Sequence, residues 1–143
     1  YAVPHDAEQP TQFVVSAEGL SLGVLTDAGH VTASMRDALQ GCAGLMLEFN
    51  HDAAMLAHGP YPASLKARIG GGLGHLENRV AAELLCALRG DDLQVVLAAH
   101  LSETNNDPAH VSASLARALA DTPTAWQIAT QQVGSDWMEL RPK

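Results

Sequence analysis

Several things are scarce in this chain, and each shortage removes a class of answer. Its 143 residues hold two cysteines, Cys42 and Cys86, far apart and outside any C-x-x-C spacing. Two such thiols do not make a disulfide framework, and their apolar or small-residue surroundings predict buried, reduced side chains. Aromatic residues are 4% of the total, so aliphatic and alanine packing must fill the core that a 47% hydrophobic content can supply. Eight bases against 16 acids give a formal charge of −8. A diffuse basic surface for nucleic acid is therefore excluded, and a metal or a local cluster is left as the way to hold a phosphate. No run reaches the ~18 apolar residues of a membrane helix, and no charged segment leads into an apolar one as in a secretion signal. The expectation is one domain over residues 1–143, cytoplasmic, with no membrane partner.

What is present alternates between two periods. Gln12 to Ala17 and Leu20 to Leu25 are strand-like runs around Glu18-Gly19, a hairpin signal. Thr32 to Leu39 reads as a short helix with Thr32 or Ser34 as cap, and Gly44 to Phe49 as a buried strand. Asp52 is placed to cap a helix ending near Gly59, and Ser64 to Ile69 continues in the same sense beyond Pro60-Tyr61-Pro62. In Asn78 to Leu88 the apolar positions Val80, Ala81, Leu84, Leu85 and Leu88 fall on one helical face. Leu93 to Ala99 is an apolar run that reads as a strand buried in a sheet, and it ends on His100. Asp107-Pro108 opens a helix to about Ala120. Trp126 to Val133 predicts a last strand, with Trp137 to Leu140 pairing at the sheet edge. Strands alternating with helices predict an α/β layer structure.

Polar residues gather where strand runs stop. His5, Asp27, the segment Glu48 to Asp52, and His100 each follow an apolar run. If those strands are parallel neighbours, their ends converge on one rim, and two imidazoles with a carboxylate suit a divalent metal such as zinc. Spacing alone leaves the plainer reading open. His100 also serves as a loop hydrogen-bonding group, Asp27 before Ala28-Gly29 as a turn former, and His5 after Pro4 as a solvated residue.

Six segments occur in an order that narrows the choice: His5-Asp6-Ala7, TDAG at Thr26 to Gly29, LEFNHD at Leu47 to Asp52, GPYPASLKARI at Gly59 to Ile69, GHLEN at Gly74 to Asn78, and AHLSETNN at Ala99 to Asn106. Together they resemble the YycJ-like branch of the metallo-β-lactamase superfamily, with tRNase Z and other nucleases more distant. The likeness runs from His5 to about Pro108. It implies an αββα sandwich carrying two divalent metal ions, zinc or manganese, with a bridging hydroxide that hydrolyses a phosphodiester in DNA or RNA. His5, Asp27 and His100 match metal ligands, Asp27 being the carboxylate that bridges both ions. His75 matches the histidine that stands beside the metals in the nuclease branches, and with Asp27 it is the catalytic candidate. Asn78, Ser102, Asn105 and Asn106 look like its supporting shell. Asn50 and His51 match a segment typical of the branch without an assigned role. Lys66 and Arg68, with Arg79, are the basic residues near these motifs that could meet a phosphate backbone.

Two departures accompany the likeness. GHLEN carries Glu77 where the branch usually has Ser, which sets another acid beside His75. The superfamily's H-x-H-x-D-H motif does not occur in these residues, and the chain opens Tyr1-Ala2-Val3-Pro4 without Met. The expectation is the C-terminal half of a larger domain, with the N-terminal half as its partner. An uncovered sheet face would then promote aggregation or pairing, including homo-oligomers. A thioester or lactone hydrolase, and a non-catalytic interaction module, are the alternatives to a nuclease.

Overall fold

The structure, a computed structural model, describes residues 1–142. Five strands form one sheet in the order β1 (Val14–Ala17), β2 (Leu20–Leu25), β3 (Gly44–Glu48), β4 (Val95–Ala99) and β5 (Ala125–Ile128). β1 and β2 are an antiparallel hairpin whose two turn residues, Glu18 and Gly19, both have positive φ, as a tight type I′ loop requires. From β2 onward every pairing is parallel. The crossovers carry α1 (Ala33–Leu39), then α2 (Ala53–His58), α3 (Ala63–Ile69) and α4 (Asn78–Leu88), then α5 (Pro108–Ala118). The expected caps are in place: Thr32 on α1, Asp52 on α2 and Asp107 on α5 each accept from backbone N–H groups of the first turn.

Strand order that never reverses, with crossovers of one hand, sets the packing helices on one face of a sheet. The core reflects this. Leu25, Leu45, Leu47, Val96 and Ala98 are buried in register and pack with Met35 and Leu39 of α1, Ala81, Leu84, Leu85 and Leu88 of α4, and Val111 and Leu115 of α5. The alternate residues turn the other way. Phe13 and Val15 are exposed, and Val24, Met46, Val95 and Leu97 are half-buried. One face of the sheet is thus covered by helices and the other is an apolar surface.

Three expectations need correction. The last strand stops at Ile128, and Val133 is exposed in the turn that a Thr130–Gly134 bridge closes. Residues 137–142 form no strand. Trp137 is exposed, Leu140 packs against Gly44 from the open side, and Arg141 exchanges hydrogen bonds with the Gln94 side chain. Cys86 is exposed rather than buried, because it lies off the face of α4 defined by residues 81, 84, 85 and 88; Cys42 is buried, and both are free thiols. No described helix is long and apolar enough to cross a membrane.

Candidate metal centre

Because β2, β3 and β4 are parallel, their C-terminal ends open on one rim. Asp27 follows β2, Glu48 ends β3 and His100 follows β4, while His5 and His75 arrive on loops that cross the same rim. Asp27 Oδ1 lies 3.7 Å from His5 Nε2, 3.7 Å from His75 Nδ1 and 3.8 Å from His100 Nε2. The three rings stand in a row, with centroids 5.1 Å apart from His5 to His75 and 5.2 Å from His75 to His100.

The backbone is shaped to deliver these groups. Asp27 (φ 56°) and His100 (φ 60°) both occupy the left-handed region, which costs energy for non-glycine residues and marks positions the surroundings enforce. At Asp27 the enforcement comes from its neighbours. Ala28 is fully buried, and Gly29 lies so close to Gly72 that a Cβ there would sit 2.3 Å from the Gly72 carbonyl carbon. At His100 it comes from Asn50, whose Nδ2 donates to the His100 carbonyl at 2.9 Å. In GHLEN, a Cβ on Gly74 would meet the Ile69 carbonyl oxygen at 2.1 Å, so only glycine lets the chain pass the end of α3 and present His75.

Glu48 organises the cluster; in the sequence it stands among the polar residues expected at the rim, without a role of its own. It is fully buried, and all four of its hydrogen bonds are to site elements. His75 Nδ1–H and His100 Nδ1–H donate to Oε1 at 2.9 and 2.6 Å; the backbone N–H groups of Ala28 and Leu76 donate to Oε2 at 3.1 and 3.2 Å. Burial alone would raise its pKa, but the bonds from His100, His75 and Ala28 outweigh it and hold the carboxyl down at about 2. The same contact pushes the His100 pKa up. The acid beside His75 is therefore Glu48 and not Glu77, which pairs with Arg79 across the helix surface.

Acceptors that cannot donate fix the tautomers. His5 Nδ1–H donates to the Gly74 carbonyl at 3.0 Å and His100 Nδ1–H to Glu48, so in each neutral ring Nε2 carries the lone pair and faces Asp27. This donor set fits a divalent metal. Asp27 Oδ1 lies 3.7–3.8 Å from one nitrogen of each ring, near the roughly 3.3 Å that separates two ligands on one tetrahedral ion and too far for a hydrogen bond. Asp27, Glu48, His75 and His100 also bring ligand atoms within 4.8 Å of one another. Both Glu48 oxygens are saturated by N–H donors, so Glu48 orients the two rings, and His5 lies outside this group of four, 3.7 Å from Asp27 Oδ1.

The other candidates divide. Asn78 and Asn106 form a reciprocal buried amide pair, and Asn106 Nδ2 also donates to the Phe49 carbonyl, locking α4 to the exit of β3. Ser102 Oγ accepts from Asn105 N and Nδ2, closing the turn that precedes α5. His51 is buried, burial lowers its pKa, and its carbonyl accepts from Asn78 N. These residues brace the rim and do not reach Asp27 through any hydrogen bond. Lys66 donates to the Ala57 carbonyl, Arg79 pairs with Glu83 and Glu77, and only Arg68, bonded to Asp6, borders the cluster. A cavity of about 590 Å³ between α4 and α5 contains none of the cluster.

With this geometry in hand, the likeness to known proteins is specific. Over 106 residues, 74% of this chain, the sequence is 35% identical to exodeoxyribonuclease YycJ of Bacillus anthracis, and equally to exodeoxyribonuclease WalJ of Streptococcus pneumoniae. The metallo-β-lactamase fold protein YhfI of Bacillus subtilis superposes over 96% of the chain with a TM-score of 0.65 at 12% identity. This is a metallo-β-lactamase fold. Its sequence likeness lies with the YycJ-like branch, as the six ordered segments implied. No protein-family model matches the chain. The chain spans about 40% of the length of these curated relatives and 47% of YhfI.

Proposed function

We propose that these residues form part of the active site of a metal-dependent phosphodiesterase acting on DNA. The observation that carries the reading is Asp27 Oδ1, set 3.7–3.8 Å from the Nε2 atoms of His5 and His100, the ring nitrogens that Gly74 and Glu48 do not engage. The likeness to two proteins named exodeoxyribonucleases supplies the substrate class. Divalent metal ions held there, two in the superfamily pattern, would make water a nucleophile near neutral pH and polarise a phosphoryl oxygen. Zinc and manganese both suit the ligand set.

The chain's own residues do the rest. His5 and His100 offer fixed lone pairs, and Asp27 offers one oxygen to both. His75 keeps Nδ1–H on Glu48, which leaves Nε2 as the atom able to exchange a proton. With Nδ1–H held by Glu48, a proton carried on Nε2 would be the one given to the departing oxygen. Such a transfer typically contributes about 10²- to 10⁴-fold. Asn50, Asn78 and Asn106 hold the strand exits that carry these groups. In this reading the residues build one half of a metallo-β-lactamase domain. The apolar open face of the sheet and the fraction of each relative covered both support that. The other half would receive the open face and carry H-x-H-x-D-H.

The test is release of nucleotides from labelled linear DNA by the full-length protein with added manganese or zinc, beside a thioester under the same conditions. DNA degradation that stops on chelation is expected. Thioester hydrolysis without DNA cleavage in either metal would overturn the assignment.

A further inference from the structure

We propose that Asp6 is a further metal-binding carboxylate of this site and that Arg68 positions it; the inference rests on the metal-dependent reading above. The two oxygens of Asp6 have different surroundings. Oδ2 accepts from Arg68 Nε at 2.5 Å, whereas Oδ1 stands 3.4 Å from His5 Nε2. Nδ1–H of His5 is committed to the Gly74 carbonyl, so the neutral ring turns a lone pair toward two carboxylates, Asp6 Oδ1 and Asp27 Oδ1. A lone pair facing two anionic oxygens is repulsive until a proton or a metal ion sits among them, and a metal ion can take all three as ligands. The separations, 3.4 and 3.7 Å, are those of neighbouring ligands on one ion.

Asp6 is held for the purpose at both ends. Its backbone N–H donates to the Leu73 carbonyl at 3.1 Å, and its outer oxygen is fixed by Arg68 from α3, 62 residues away. A ligating carboxylate is ordinarily oriented in this way, through the oxygen that the metal does not use. Asp6, Arg68, His5 and His75 line one cavity of about 170 Å³ floored by Leu65 and Ile69, so the carboxylate and the two rings share the same space.

The experiment uses Co²⁺ alone as probe on the chelator-stripped full-length protein, read by visible absorption and by competition with a chelating dye. Asp6→Asn is expected to weaken the equivalent that binds at His5 about 10-fold or more and to alter its absorption band. Asp6→Glu, which keeps a carboxylate, recovers part of the loss. Arg68→Ala gives a smaller loss, and Asp6→Asn with Arg68→Ala binds as Asp6→Asn alone, because Arg68 acts through Asp6. Should the metal-free Asp6→Asn protein melt below the parent, the Asp6→Glu and Arg68→Ala pair carries the test. Asp6→Asn binding with parental affinity and spectrum would sink the inference, and an additional loss in the double variant would sink the role of Arg68. A parent that binds no Co²⁺ sinks the metal-dependent reading itself, a result distinguishable from either.

Discussion

At the strand-end rim, Asp27 Oδ1 gathers nitrogens from residues 5, 75 and 100 to within 3.8 Å; on the outer face of α4, Arg79 finds its partners two and four residues away, at Glu77 and Glu83. Both regions hold charged side chains within ion-pair reach, yet they are built differently. The rim is assembled by topology, since parallel strands deliver distant residues to one edge, and its groups are pinned by a saturated buried acid and two left-handed backbone positions. The helix surface is assembled by local periodicity and stays in water, where charge pairs contribute little. Sequence distance, burial and backbone strain thus separate a built site from a solvated charge pattern.

Substitutions at the rim should therefore be severe and specific, beginning with the shared oxygen. Asp27→Ala is expected to abolish detectable DNA turnover and to weaken metal binding about 100-fold or more, measured by nucleotide release and by metal competition. Retention of parental metal affinity would show that His5 and His100 do not depend on Asp27. His75→Ala should keep its metal content and lose about 10²- to 10⁴-fold in turnover. Full activity in that variant would remove His75 from the mechanism.

Glu48 gives the next largest effect, and it appears in stability. Glu48→Gln sets an amide donor against donors that the carboxylate now accepts, either the two ring N–H groups or the two backbone N–H groups. The metal-stripped protein should lose about 3 kcal/mol at pH 6, read by urea unfolding. The pH dependence of that loss is a separate check. The Glu48 pKa falls from its ordinary 4.5 to about 2 on folding, so its contribution is present above 4.5 and is lost as pH falls through 2. His100 moves the other way: its raised pKa gives a contribution complete below 6.5 and lost as pH rises through the folded value. The difference between parent and Glu48→Gln should thus be widest from about pH 4.5 to 6.5. A flat difference across pH 2 to 8 would mean that shape, and not charge, is what Glu48 provides.

Much of this was legible in the chain itself. The amphipathic spacing of Val80, Ala81, Leu84, Leu85 and Leu88 located α4, and the caps Thr32, Asp52 and Asp107 located three helix starts. Asp27 and His100 were readable as polar residues that interrupt apolar runs at strand ends, whereas the strand expected before His5 is only an Ala2–Thr11 bridge and His5 comes in on a loop. Glu48 had no legible role. It alternates onto the same face as Met46, where an isolated acid reads as the solvated end of a strand, and its burial arises from two histidines and two backbone N–H groups that sequence does not place. The role of Asp6 was hidden similarly, since its partner Arg68 is 62 residues away. At Glu77 adjacency misled: one residue beyond Leu76 the chain enters α4, and the carboxylate turns toward Arg79 instead of the ring.

The smallest expected effect tests the other side of the comparison. Arg79→Ala removes a cation that composition made valuable, one of eight in a chain of net charge −8. Its guanidinium is exposed and already shared between Glu77 and Glu83, so a phosphate would have to displace two carboxylates to use it. Turnover on DNA and the urea midpoint should both stay at the parental values, while Arg68→Ala, one loop away at the rim, should not be silent in metal binding. A marked rise in KM for DNA in Arg79→Ala, with kcat preserved, would place the substrate path along α4. The exposed charges of α4 would then belong to the binding surface, and the rim would not hold the substrate alone.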